Sequence, residues 1–294
     1  MASAHERRQL AFPALFVVLW STGWIAAKYG LPYAPPLTFL LYRYALVAAL
    51  MGVVALATHA AWPRDARQIG HVAVVGWLVH GLYLGGVFVS LAAGMPAGVS
   101  AMLVGLQPVL TTLVARAWLS ERVVARQWLG LAFGLAGVFC VVHQKASFTG
   151  DLVALVPSAI ALVGISIGTL YQKRYCSQVD LRSGAVIQFT ACALLYLPLV
   201  LVFEGQAVRW APEFVFALGW SVLVLSVGAI SLLYVLLRHG AAANVAALFF
   251  LVPPVTALMA WALFGETLDA LAIGGMALIA AGVALARAPA PAQP

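Results

Sequence analysis

Residues 99–141 read VSAMLVGLQPVLTTLVARAWLSERVVARQWLGLAFGLAGVFCV, and 145 positions further on residues 244–286 read NVAALFFLVPPVTALMAWALFGETLDALAIGGMALIAAGVALA. The two stretches align without a gap. Pro108 falls on Pro253, Thr111 on Thr256, Glu121 on Glu266, Gly130 on Gly275 and Gly137 on Gly282, with 15 identities in 43 positions. So many matches exceed what an Ala- and Leu-rich composition supplies by chance, so the chain carries an internal repeat. The same offset puts Lys28 on Lys173.

Outward from the repeat, the chain divides into apolar runs of about 20 residues, the length that crosses a hydrocarbon core at 1.5 Å per residue. Bounded by charge, Pro or Gly clusters, they cover 10–28, 36–57, 69–92, 97–118, 124–142, 150–171, 181–203, 213–236, 242–264 and 269–286. That predicts an all-α integral membrane protein of ten transmembrane helices. Five helices fall in each repeat, 1–145 and 146–294, together one transmembrane domain. Five is odd, so the second copy enters the membrane inverted relative to the first. Inverted pairs place a binding site near the midplane between the halves, and transport is the function class that this arrangement implies.

Composition agrees. Of 294 residues, 64% are AVILMFWYC and 9% are charged, where a soluble domain carries about 25% charged residues. An ordinary soluble enzyme, a disordered protein and a nucleic-acid binder are excluded. The net charge of +7 comes from sixteen basic residues scattered singly or in pairs. With the N-terminus inside, twelve lie on the inner side, Lys28, Lys145 and Arg209 lie on the outer side, and Arg43 lies within a span. This positive-inside bias sets the orientation, and an even number of spans brings both termini to the cytoplasm. The run that follows Arg7 and Arg8 is a full span without a small-residue cleavage site, so it reads as a retained helix. Cys140, Cys176 and Cys192 form no disulfide framework or metal motif and read as packing residues.

Leu19-Trp20-Ser21-Thr22-Gly23-Trp24 with Lys28 and then Arg43, and the twice-used pattern Pro108…Glu121…Gly130…Gly137 and Pro253…Glu266…Gly275…Gly282, resemble the drug/metabolite transporter superfamily. The likeness covers essentially the whole chain and is specific for its ten-helix, EamA-type exporters. It is greatest to the bacterial inner-membrane exporters of amino acids, particularly the aromatic ones. The resemblance implies a basket in which helices 1–4 and 6–9 surround a central cavity while helices 5 and 10 brace the outside. Gln188 stands at the repeat position of Arg43, so the cavity is expected to be chemically asymmetric.

Polar side chains deep in a span are costly, which makes them the candidate functional residues. All nine acids fall in loops or at helix ends, leaving no mid-membrane carboxylate. A proton-coupled exporter of cations, or a sodium site, usually uses one, so a facilitator or weakly coupled exporter of neutral or zwitterionic solutes is favoured. Arg43 either holds a substrate carboxylate or serves structure by snorkelling or bonding backbone carbonyls. His80 and Tyr83 stand about 60° apart on an ideal helix and can share the cavity; the alternative for His80 is a hydrogen bond between helices. Trp20, at mid-depth, either walls a flat solute or fills space against lipid. Gln107 and Thr111 share one face at i, i+4, and Ser166 and Gln188 are further cavity candidates. Pro108, Pro253 and Pro254 interrupt the repeated helix and are hinge candidates.

Glu121 and Glu266 each follow a span and precede the next helix, where a carboxylate suits an N-terminus; they read as caps. Lys28 and Lys173 read as anchors of helix ends. Gly81/Gly85, Gly130/Gly134 and Gly164/Gly168 allow close helix approach. No cofactor or metal is implied, the partners are a small solute and the lipid bilayer, and every donor lies in one chain, so a monomer suffices. An amino-acid or metabolite exporter is the leading function. A multidrug or quaternary-ammonium exporter is the alternative, weakened by the missing acid. An intramembrane enzyme is the alternative of another class, and His80 lacks a nucleophile or second base at helical spacing.

Overall fold

The computed structural model describes residues 4–95, 100, 103–121, 123–142, 152–205, 207–264 and 269–286, and among these the regular structure is helical, without strands. The helices are α1 (Ala4–Gly30), α2 (Pro36–Ala57), α3 (Ala66–Ala92), α4 (Gln107–Trp118), α5 (Ala125–Val142) and α6 (Leu152–Tyr175). They continue as α7 (Leu181–Phe203), α8 (Pro212–His239), α9 (Ala242–Ala247 and Val252–Phe264, joined by the 3-10 turn Leu248–Leu251) and α10 (Ala270–Ala286). Six helices are long and apolar enough to cross a membrane: α2, α3, α7, α8 and the greater part of α6 and α9. The apolar stretches of α1 and α10, Ala11–Ala27 and Ala270–Ala286, are shorter. On the outer face of α7, Leu194 is 67% exposed and Val202 and Phe203 are 73% exposed. Large apolar side chains left bare in such a row suit hydrocarbon rather than water.

Local sequence sets where the helices begin. Pro36 and Pro212 occupy first-turn positions of α2 and α8, where a missing N–H costs nothing. Asp65 and Asp180 cap α3 and α7 by accepting from the amides of Arg67 and Arg182. The Arg182 guanidinium beside it holds the Asp180 carboxyl at about 2, so it stays ionised. Two further caps come from distant chain. Glu204 accepts from the amides of Leu37 and Thr38 at 2.9 and 2.6 Å, closing the start of α2.

Glu121 does not cap the helix that follows it, as its place in the sequence implied. Its Oε1 accepts from the Ala242 amide at 3.0 Å and from Lys173 Nζ at 2.8 Å, so it caps α9 from across the bundle and pairs with the end of α6. Lys173 therefore holds more than its own helix end, since Nζ also donates to the Gly240 carbonyl at 2.7 Å. Glu266 and the side chain of Lys28 lie outside the described residues.

Helix pairs in extensive contact include α5 with α10, α2 with α7, α3 with α6 and with α7, and α1 with α8, and α1 also packs on α9 as α6 does on α4. The α5–α10 seam is backbone against backbone. A Cβ on Gly130 would stand 2.5 Å from the Gly282 oxygen, one on Gly137 2.6 Å from the Gly275 oxygen, and one on Gly282 2.6 Å from the Gly134 nitrogen. Burial from lipid brings little hydrophobic gain, so this close approach is what holds the pair. Gly164 is seated likewise against the Leu78 carbonyl of α3.

Two irregularities recur in the halves. α3 widens to a π-helical segment at Trp77–Leu82 and α8 at Ser221–Ala229. The proline sites differ from the mid-helix interruption expected: the chain turns at Gly105–Leu106 before Pro108 and runs as 3-10 before Pro253, so the prolines lie in the first turn of the helix that follows each break. There a proline removes no ladder bond.

Gly282→Ala should cost about 1–3 kcal/mol through overpacking, because its Cβ meets backbone that cannot swing away. Gly274→Ala on the same helix has open space around its Cβ and should be neutral or stabilising. Thermal unfolding of both variants in detergent checks this; equal midpoints would refute the seam.

Candidate functional site

A cavity of about 550 Å³, counting the part open to its surroundings, lies between α1, α2, α3 and α8. α1 contributes Trp20, Gly23, Trp24 and Ala27, the i, i+3, i+4, i+7 stripe of one helix face. α2 contributes Arg43, α3 Val79, Tyr83, Val87 and Phe88, and α8 Leu225, Ala229 and Ile230. Its walls are therefore aromatic and aliphatic, and among the described lining residues Arg43 is the single charged one.

Rings close one end. Trp20 lies nearly parallel to Tyr83, with centroids 6.2 Å apart and planes at 15°, and meets Phe249 edge-on at 5.1 Å and Phe16 at 5.2 Å. Trp20 thus divides its surface between the cavity and this aromatic floor, and it is not a lipid-facing residue, being 9% exposed.

Arg43 is 3% exposed. Its Nε donates to Ser226 Oγ at 2.9 Å, from the π segment of α8. Among the described residues neither terminal guanidinium nitrogen has a hydrogen-bond partner, and no carboxylate pairs with the group. Four of the described carboxylates are placed elsewhere: Glu121 and Glu204 in the caps described above, Asp65 and Asp180 at helix starts.

His80 is fully buried and is not part of this lining. Ideal helical spacing puts it near Tyr83, but it belongs to the π segment, whose wider turn advances the side chains by a smaller angle per residue. Its ring stacks on Phe189 at 4.2 Å, and Nε2 lies 3.1 Å from Gln188 Oε1. Since that oxygen accepts, Nε2 carries the proton and Nδ1 is left as an acceptor with no partner among the described residues. Gln188 Oε1 also accepts from the Tyr234 hydroxyl at 2.9 Å, and Gln188 Nε2 faces Gln172 Oε1 at 3.4 Å. Gln188, Gln172 and Tyr234 border a second, smaller pocket near Asp180. Gln188 and His80 therefore join each other, and Arg43 and Tyr83 join Trp20, as two separate groups.

Gln107 and Thr111 are 1% exposed and bond to each other at 3.1 Å, with Gln107 Oε1 unpaired among the described residues. They lie at the start of α4, outside both linings, as does Ser166, whose buried hydroxyl has no partner among the described residues. Pro108, Pro253 and Pro254 flank the helix breaks.

Sequence reasoning passed over Ser226, whose hydroxyl accepts from Arg43 Nε, although a lone serine in the run Leu223–Leu225 to Val227 was a visible signal. It also passed over Tyr44 and Tyr196. Their hydroxyls donate to the carbonyls of His80 and Gly81, at 2.6 and 2.7 Å, inside the π segment of α3. A π turn upsets the ladder, and a carbonyl at this depth needs a replacement donor.

The EamA-like transporter family matches this chain twice, over residues 10–143 and 149–288, and the chain belongs to that family. It is a multi-pass membrane protein. It is 28% identical to "Uncharacterized transporter YvbV" of Bacillus subtilis (strain 168), over 100% of this chain and 96% of the relative. It is 25% identical to "Uncharacterized inner membrane transporter YedA" of Escherichia coli (strain K12), over 96% and 93%. A "Probable amino-acid metabolite efflux pump" of Salmonella typhimurium is 24% identical over 92% and 91%. A solved crystal structure superposes with a TM-score of 0.77 over 94% of this chain and 95% of that one, at 21% identity, and shares the fold.

Tyr44→Phe strips the His80 carbonyl of its donor in a dry site and should cost about 1–3 kcal/mol, read as a lower unfolding midpoint in detergent. An unchanged midpoint would mean that another donor serves that carbonyl.

Proposed function

We propose that this protein is an alternating-access exporter of amino acids or related small metabolites in the bacterial inner membrane. Ten spans form two inverted halves, 1–145 and 146–294, both termini are cytoplasmic, and one chain suffices. The observation that carries the reading is the cavity that α1, α2 and α3 of one half make with α8 of the other, walled by rings and holding one guanidinium.

Several facts support it. Advancing each helix by five carries α3–α6 onto α8–α1 and α4–α6 onto α9–α1, and returns α2–α7 and α5–α10 to themselves; this is the exchange expected of a two-fold in the membrane plane. The two π segments correspond under the 145-residue offset, and the family pattern falls once in each half. With the N-terminus inside, Ala27, Phe88 and Arg43 lie toward the outer ends of their helices, so the cavity belongs to the outer half. The ring floor, with the joint of Glu121, Lys173 and α9, then closes the inner half. Opening inward would use the breaks ahead of Pro108 and of Pro253 and Pro254 as hinges. A relative named for amino-acid metabolite efflux agrees with the solute class.

A multidrug or quaternary-ammonium exporter is disfavoured by Arg43, a cation in the site with no carboxylate beside it in the described lining. The same lack of a lining acid argues that transport runs on the solute gradient without obligatory protons, and no nucleophile–base set in the cavity supports an enzyme.

Counterflow tests the reading. Proteoliposomes preloaded with unlabelled amino acids should accumulate labelled phenylalanine, leucine or threonine transiently, and dissipating a pH gradient should leave that accumulation nearly unchanged. No accumulation with any amino acid, from protein shown to be folded, would overturn the assignment.

A further inference from the structure

Resting on the assignment of this cavity as the solute site, we propose that the site recognises a carboxylate and a flat apolar body and makes no specific demand on the amino group, so that its substrate class extends to aromatic monocarboxylates lacking an amine. Arg43 carries the argument. A guanidinium 3% exposed and without a described carboxylate partner is an unbalanced charge in a low-dielectric setting, and a solute anion is what would balance it. Among the described residues only Nε is engaged, by Ser226. The two terminal nitrogens present the parallel donor pair that fits the two oxygens of a carboxylate.

Around it, Trp20 and Trp24 of α1 and Tyr83 and Phe88 of α3 supply aromatic rings to the lining. An ammonium would find no carboxylate among the described lining residues. The groups within reach are ring faces, which accept a cation and an apolar edge alike, the neutral Tyr83 hydroxyl, which solvent or solute can serve equally, and the guanidinium itself, which repels it. Selectivity follows from what a site leaves unpaired: loss of the solute carboxylate strands the charge of Arg43, whereas loss of the amine strands no charge among the described lining residues.

The test uses purified full-length protein in detergent and three ligands that share one ring: phenylalanine, 3-phenylpropanoate and 2-phenylethylamine. Thermal unfolding followed against ligand concentration should give apparent affinities for phenylalanine and 3-phenylpropanoate within about threefold of one another, with 2-phenylethylamine at least about tenfold weaker. Arg43→Gln should abolish the preference for acid over amine, while Ser226→Ala, which keeps the charge and loses its tether, should retain it. The three-ligand comparison needs only the unaltered protein, so it decides the matter even if Arg43→Gln does not fold. No stabilisation by 3-phenylpropanoate, equal stabilisation by the amine, or an intact acid preference in folded Arg43→Gln would each overturn the proposal. Phenylalanine bound without 3-phenylpropanoate would refute this inference and leave the exporter assignment standing. Strong binding of 3-phenylpropanoate with counterflow absent for every amino acid would do the reverse.

Discussion

A carbonyl released from its helical ladder inside hydrocarbon has no water to turn to, and the irregular parts of this protein are arranged around that constraint. The π segment of α3 is possible because Tyr44 and Tyr196 reach it from α2 and α7 with hydroxyl donors. The breaks ahead of Pro108 and Pro253 fall where prolines occupy first turns, so neither costs a ladder bond. Those same irregular stretches border the cavity: Val79 and Tyr83 sit within or directly after one π segment, and Leu225, Ser226 and Ala229 lie in the other. Irregularity, its polar repair and the cavity are one piece of structure.

Packing follows a related rule. Without a hydrophobic gain from leaving lipid, the helices hold by fit, as in the glycine seam between α5 and α10. That seam lies away from the cavity walls, so the residues that bind the outer pair and those that line the site do not compete for the same positions. The division leaves α1, α3 and α8 free to carry large rings inward.

Helix ends were legible from apolar length and punctuation: 36–57 and 181–203 coincide with α2 and α7, most other limits shift by up to six residues, and α4 starts at Gln107, ten residues into the run 97–118, part of which lies outside the described residues. The stripe Trp20, Gly23, Trp24, Ala27 was legible too, because α1 is regular through it. His80 was not. Its face was inferred from 100° per residue, and the π turn around it is fixed by tyrosines from distant chain, a tertiary effect that no local pattern encodes. Glu121 failed for a similar reason. A carboxylate between two helices suits the nearer N-terminus, but the free amides it meets are those of α9, brought alongside by packing. Glu204 and Ser226 belong with it, as residues whose partners lie 167 and 183 positions away.

The joint at Glu121 has an uncommon property. An ion pair made by two side chains alone can be inverted over generations, acid for base and base for acid, with little change in energy. Here the carboxylate also accepts from the amides of Ala242 and Ala243, while Lys173 donates a hydrogen bond to the Gly240 carbonyl. Exchanging the two would set an ammonium against amide donors at the positive end of α9 and a carboxylate against a carbonyl oxygen. The polarity of this pair is therefore tied to the direction in which the main chain runs, and sequence drift can erase it but has no single-step route to its mirror image.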